Sequence, residues 1–379
     1  LDVPKNFPAG RYLLLYDGEG TLRYRLGAQK ITAESTSGRD VLDIDVNRGL
    51  IQIQIMDTDP NKTGNYLRNL RLIREADEST YQSHTFNPEF LARIQPFQAL
   101  RFMDWQGTNG NEQEHWADRL PATAATYSTY GKVIGAPAEV MVQLANETRK
   151  PAWFNMPHKV DDDYMRRFAV LVRDTLDPAL PVYVEYSNEV WNTQFSQHAW
   201  IRDQANALWP GGTDSDYTKV INWYGKRTAE MCDIWKTAFG AQSGRVTCVL
   251  GAQAANTWTA SAALDCSLWD KKPCSSHGID AITIAPYFGY YIGLPAHQPV
   301  VDGWTHEADG GLDKLFTELR SGGQFNDSPN GGALAESLRW VDNYATLTGS
   351  RHLQLLAYEG GQHLVGVGAA TNDTALTNL

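Results

Sequence analysis

From residue 86 onward, short runs of β-branched and aromatic residues alternate with amphipathic stretches of helical length. No other feature narrows the fold as much. The runs at 99–105, 152–158, 181–186, 245–250, 281–285 and 353–358 read as buried strands. Between them, 139–146, 161–174, 217–239, 312–319 and 334–347 carry the helical period. Asp161, Asp162 and Asp163 suit the positive N-terminal end of the helix they open. Strands separated by helices imply a parallel sheet with crossover connections.

Residues 1–85 have a different texture. Half-buried strands are expected at 12–16, 21–24, 41–45, 50–55 and 66–73, punctuated by Asp17-Gly18, Glu19-Gly20 and Asp59-Pro60. This predicts a small antiparallel β-rich, sandwich-like module over 1–85, followed by a parallel α/β domain over 86–379. The module contains no Trp, the usual sugar-stacking residue. That favours a structural sandwich or lid over an accessory carbohydrate-binding module.

Charge excludes several partners. With 33 Lys and Arg against 44 Asp and Glu, the net charge is −11. Nucleic acid and anionic membranes reward positive surface, so neither is expected as a partner. No apolar run reaches the roughly 18 residues of a membrane-spanning helix. The chain opens at Leu1 without Met or a leader pattern, which suggests a processed or trimmed product. The four cysteines, Cys232, Cys248, Cys266 and Cys274, form no CxxC pair, and no His stands at zinc-finger spacing. An even count with a short loop between Cys266 and Cys274 favours disulfides and an oxidising, secreted or periplasmic location. Cys232 and Cys248 are a second pair that could meet. Four buried free thiols are the alternative.

The stretch 181–192, Pro-Val-Tyr-Val-Glu-Tyr-Ser-Asn-Glu-Val-Trp-Asn, begins as a strand and ends in a polar cluster. An Asn188-Glu189 pair closing a hydrophobic strand resembles the fourth barrel strand of the clan A retaining glycoside hydrolases, a cellulase-like family of (β/α)8 TIM-type barrels. Counted from there, the run at 353–358 is the seventh strand, and it ends in Glu359-Gly360-Gly361. The sixth ends in Pro286-Tyr287, the third in His158, and the second holds Arg101. The wording Ser-Asn-Glu-Val-Trp-Asn differs from the Asn-Glu-Pro common in clan A cellulases, which leaves the subfamily open. The resemblance covers 86 to about 364. First and eighth strands are not evident in it.

The resemblance implies Glu189 as general acid/base and Glu359 as nucleophile. Such enzymes set two carboxyl groups about 5–5.5 Å apart across the scissile bond. Arg101 is expected beside Glu359 as its counter-charge, Tyr287 to orient it, and Asn188 to bond the sugar 2-hydroxyl. His158 is a further substrate-binding candidate. Glu185, four residues before Glu189, reads as an interior or salt-bridged residue. Pairing of Arg101 with Asp104 is the structural alternative.

Twelve Trp and 17 Tyr add a clue to substrate. Flat rings with a polar handle suit the C–H face of a pyranose. Trp105, Trp191, Trp258, Trp269, Tyr290, Tyr291 and Trp304 fall in expected loops, whereas Trp153, Trp223 and Trp235 read as core. The expected activity is endo cleavage of a β-linked polysaccharide, above all a β-glucan, by a monomer needing no cofactor or metal. One rival is a non-catalytic polysaccharide-binding protein on the same scaffold. Another is a metal-dependent hydrolase or lyase using His158, His363 and carboxylates, although those histidines have no ligand spacing.

Overall fold

A computed structural model describes residues 7–124, 126–127 and 132–379. The chain divides into two compact units, Leu1–Gln95 and Pro96–Leu379.

In the first unit, β1 (Gly10–Asp17), β2 (Thr21–Leu26), β3 (Ala28–Lys30), β4 (Arg39–Ile44), β5 (Ile51–Asp57) and β6 (Arg68–Arg74) precede a short helix, α1 (Pro88–Ile94). An antiparallel sheet runs in the order β3-β4-β1-β6, and β2 pairs with β5 as a separate ribbon. Leu14, Ala28, Leu42 and Ile44 form its core, with Tyr12, Tyr16, Ile51 and Ile53 packed against them. Alternate residues of β1 (Tyr12, Leu14, Tyr16) and of β4 (Leu42, Ile44) share one face of the sheet and supply this core.

The second unit is mixed α/β. Its strands are β7 (Leu100–Arg101), β8 (Ala152–Met156), β9 (Val182–Tyr186), β10 (Val246–Gly251), β11 (Ala281–Ile284), β12 (Tyr287–Phe288), β13 (Gln354–Ala357) and β14 (Gly361–Gln362). Six of them make one parallel sheet in the order β13-β11-β10-β9-β8-β7. Past the strand tips, β12 and β14 pair in parallel. The helices are α2 (Ala138–Thr148), α3 (Asp162–Thr175), α4 (Ser196–Leu208), α5 (Asp216–Phe239), α6 (Thr257–Asp265), α7 (Gln298–Thr305), α8 (Leu312–Ser321), α9 (Gly332–Arg351) and α10 (Thr374–Asn378). Capping side chains set the starts of α3 and α5, among others: Asp161 accepts from the Tyr164 amide at 2.7 Å, and Ser215 from that of Thr218 at 3.1 Å.

The sheet is curled. Arg101, on one edge strand, donates to Glu359, just past the other edge strand, at 2.9 Å. Laid flat, five strand spacings of about 4.8 Å would separate those edges by roughly 24 Å, beyond the reach of both side chains. A barrel of eight strands is the expectation, and among the described residues six strands join the sheet. Before β7 the unit has no strand. After β13 come only β14, a 3-10 turn over Gly368–Asn372 and α10, none of which joins the sheet.

Packing follows strand position. β8 and β11 are buried throughout, whereas the edge strand β13 exposes Gln354 and Ala357. Phe154 on β8 meets Phe168 of α3 and Trp235 of α5 at ring separations of 5.1 and 6.4 Å. Burying rings of this size stabilises the helix layer by about 2–3 kcal/mol each. Helices α5 and α6 touch at Gly225, where a Cβ would lie 2.0 Å from the Ala263 carbonyl oxygen, so only glycine allows the approach. A disulfide joins Cys266 to Cys274. Cys232 and Cys248 do come together, but as buried free thiols.

Candidate active site

The strand tips gather three glutamates around one arginine. Arg101 on β7 is mostly buried. Its Nη1 donates to Glu359 at 2.9 Å, and its Nη2 donates to Glu185 at 3.0 Å and to the side-chain oxygen Oδ1 of Asn188 at 2.9 Å. Burial disfavours its charge, but the pull of Glu185, with that of Glu359, outweighs this and raises its pKa. Its guanidinium lies 4.8 Å from the centre of the Tyr358 ring and 5.7 Å from that of Trp153, adding cation–π attraction.

Glu185 is fully buried in the middle of the sheet. Trp153 Nε1 and Asn155 Nδ2 on β8 donate to the oxygen that also faces Arg101, at 2.9 and 2.8 Å. The parallel register sets Asn155 opposite Glu185. Burial pushes this carboxyl up, and Arg101 and the two neutral donors oppose that.

Glu189 sits on a bent tip. Ser187 and Glu189 have φ of 59° and 43°, in the left-handed region that costs a non-glycine residue roughly 1–2 kcal/mol. Side-chain amides hold the bend: Asn155 donates to the Ser187 carbonyl and Gln197 to that of Asn188, both at 2.8 Å. The Glu189 carboxylate accepts from the Tyr358 hydroxyl at 2.7 Å and from Asn192 Nδ2 at 2.9 Å. Burial, followed by the charge of Glu189, raises the Tyr358 pKa, so its hydroxyl stays a donor.

Glu359 follows β13. One oxygen accepts from Arg101, the other from the Tyr287 hydroxyl at 2.8 Å. Burial and the bond to Glu359 push the Tyr287 pKa up to about 12. Arg101 therefore ties Glu359 to Glu185, while Tyr358, next to Glu359 in sequence, reaches across to Glu189. Glu189, Glu359, Arg101, Asn188 and Tyr287 form one hydrogen-bonded neighbourhood at the C-terminal ends of the parallel strands.

The other candidates lie differently. His158 is 2% exposed, its Nδ1 has no hydrogen-bond partner, and its ring meets Trp200 edge-on at 5.4 Å. None of its hydrogen bonds or ion pairs reaches the cluster, and burial lowers its pKa to about 4. Trp105 packs on Phe102 at 5.7 Å, and Trp191 is half-buried beside Asn192. Tyr290 is 46% exposed and lies 5.1 Å from the His363 ring. Trp258 is also exposed, whereas Trp269 and Trp304 are core residues and Tyr291 donates to the buried Glu318 at 2.6 Å. Trp153, Trp223 and Trp235 are buried. Among the described residues, no three His, Cys, Asp or Glu side chains converge as a metal-binding group.

Four members of the cluster were not singled out as site residues: Tyr358, Asn192, Trp153 and Asn155. Tyr358 carried a usable signal, an aromatic hydroxyl directly before a strand-end carboxylate. Asn192 carried a weaker one, a carboxamide three residues beyond Glu189. Trp153 and Asn155 depend on strand register, which has no local signature.

No protein-family model matches this chain, and no curated protein does. Two solved structures show distant similarity. One is Bacteroides uniformis beta-glucuronidase 2 covalently bound to cyclophellitol-6-carboxylate aziridine, with a TM-score of 0.28 and 9% identity over 93% of this chain. The other is a Bacteroides uniformis beta-glucuronidase, with a TM-score of 0.27 and 9% identity over 94% of this chain. This chain spans 42% of the length of each. Likenesses at that level carry no argument for fold or chemistry.

Proposed function

We propose that the chain is a retaining glycoside hydrolase that cleaves a β-linked polysaccharide internally, with a β-glucan as substrate. The observation that carries this reading is the pair of strand-end glutamates, Glu189 and Glu359, bound into one network by Arg101, Tyr287 and Tyr358. Glu359 has the nucleophile's environment: an adjacent guanidinium supplies counter-charge, and a phenol fixes the second oxygen. Glu189 is bonded only by neutral donors, a hydroxyl and a carboxamide, which suits a group that gains and gives up a proton.

In the first step a Glu359 oxygen attacks the anomeric carbon, the bond to the leaving oxygen breaks, and Glu189 gives that oxygen its proton. In the second, Glu189 takes a proton from water as the water oxygen attacks the same carbon and releases Glu359. Asn188 uses one amide hydrogen on Asn109, at 3.1 Å, and keeps a second for the sugar 2-hydroxyl. The oxidised Cys266–Cys274 pair is in keeping with work outside the cytosol.

The test is reducing-sugar release from β-glucans, xylan, mannan and arabinan, wild type against Glu359→Ala. Release from β-glucan that vanishes in the variant is expected. Silence on every polymer from a folded protein, with glycan still bound, would replace this reading with that of a binding protein.

A further inference from the structure

Two three-ring columns stand at the ends of the parallel strands, one rooted beside each glutamate. In the first, Trp258 stacks on Tyr217 at 5.9 Å and 22°, and Tyr217 stacks on His198 at 6.0 Å and 30°. Its base is fixed next to Glu189: His198 Nδ1 bonds the Val190 carbonyl at 2.8 Å, and the Tyr217 hydroxyl donates to that of Trp191 at 3.2 Å. In the second, Tyr290 meets His363 at 5.1 Å and 32°, and His363 meets Tyr287 at 5.2 Å and 44°. Its base is Tyr287, whose hydroxyl holds Glu359.

Each column ends in an open ring. Trp258 is 42% exposed and Tyr290 46%, although each is braced by a ring behind it. Trp235, a core tryptophan, is fully buried. A braced ring loses little freedom when it binds, and its open face matches the C–H face of a pyranose. Both follow the C-terminal ends of parallel strands, Trp258 after β10 and Tyr290 after β11 and β12, on the side that carries the glutamates.

We propose that the Trp258 column holds the sugar on the leaving-group side of the scissile bond and the Tyr290 column the sugar on the glycone side. This rests on the hydrolase reading, because the sides follow from the roles of the two glutamates. Glu189 protonates the leaving oxygen, so the column rooted beside it takes the departing sugars. Glu359 attacks the anomeric carbon, so the column built on its tyrosine partner takes the retained sugars. The ligand is a β-linked oligosaccharide long enough to reach both columns, with cellohexaose as the probe.

The test uses cellohexaose labelled at its reducing end and maps which bond is cut. Trp258→Ala weakens the leaving-group side, so cutting moves toward the reducing end. Tyr290→Ala moves it toward the non-reducing end. In Glu359→Gln, which binds without turnover, either added change weakens cellohexaose binding about tenfold to a hundredfold. Both rings are exposed, so neither variant endangers the fold. Cleavage with an unchanged pattern, or shifts in one direction for both variants, overturns the columns and leaves the hydrolase reading standing. Absence of both cleavage and binding in the wild type overturns the two together.

Discussion

Strand β9 lies inside the parallel sheet and β13 at its edge, yet each ends in a glutamate of the same network. β9 is flanked by β8 and β10 and is almost wholly buried, while β13 has only β11 beside it and is half exposed. The central strand presents Glu189 through its own backbone, bent at Ser187 and Glu189 and clamped by amide side chains. Among the described residues no side-chain amide clamps the tip of the edge strand, and Glu359 is oriented by side chains from β7 and β12. The central carboxylate is placed by a backbone bend that neighbouring amides clamp. The edge carboxylate is placed by the side chains it bonds.

The largest effect expected does not separate the two tips. Glu189→Gln and Glu359→Gln should each lower kcat on the order of 10⁴-fold or more while shifting stability by less than about 1 kcal/mol. Steady-state kinetics with thermal melts would check this, and a loss confined to one of them would demote the other to a structural role. Arg101→Met should separate them. It removes a holder of Glu359 and strands Glu185 in the interior, so both activity and about 3–5 kcal/mol of stability should go. Denaturant unfolding is the measurement, and a variant as stable as wild type would mean that Glu185 stands without its cation.

A pH effect should follow from His158, whose carbonyl accepts the Tyr186 hydroxyl from β9. Burial holds its imidazole neutral down to about 4 in the folded chain, against an ordinary value near 6.5 when unfolded. The unfolded state therefore takes up the proton first. Stability should be complete above about 6.5 and fall by about 2–3 kcal/mol as pH drops toward 4. His158→Phe should flatten that part of the slope in melts at several pH values, and an unchanged slope would place its origin elsewhere. The smallest effects sharpen the comparison most. Tyr287→Phe should cost about 10- to 100-fold in kcat/KM and Tyr358→Phe less than about tenfold, because Asn192 and the bent backbone still hold Glu189. Equal losses would erase the distinction between centre and edge.

Much of this was legible because buried parallel strands are written as continuous apolar runs. β8, β9, β11 and β13 fall within stretches the sequence marks, and β10 overruns its stretch by one residue. Their polar ends were legible too, and Arg101, Asn188, Glu189, Tyr287 and Glu359 do converge. What stayed hidden depends on register and curl. Nothing local shows that Asn155 lies opposite Glu185, or that the edges approach closely enough for Arg101 to reach Glu359. The histidines lie apart from that network. His158 falls in a turn two residues past β8 and meets Trp200, while His363 lies between two tyrosines.

The pair between Arg101 and Glu359 joins residues 258 positions apart. A ribosome adds roughly 5–20 residues per second, so Arg101 leaves the peptidyl-transferase centre some 10–50 s before Glu359 is made. Glu185 follows Arg101 by only 84 positions, so for the rest of that interval the guanidinium can pair with it and the growing sheet can order around a balanced charge. The second carboxylate arrives last and completes the centre. A nascent chain halted anywhere before β13 would therefore lack the Arg101–Glu359 pair that closes the network.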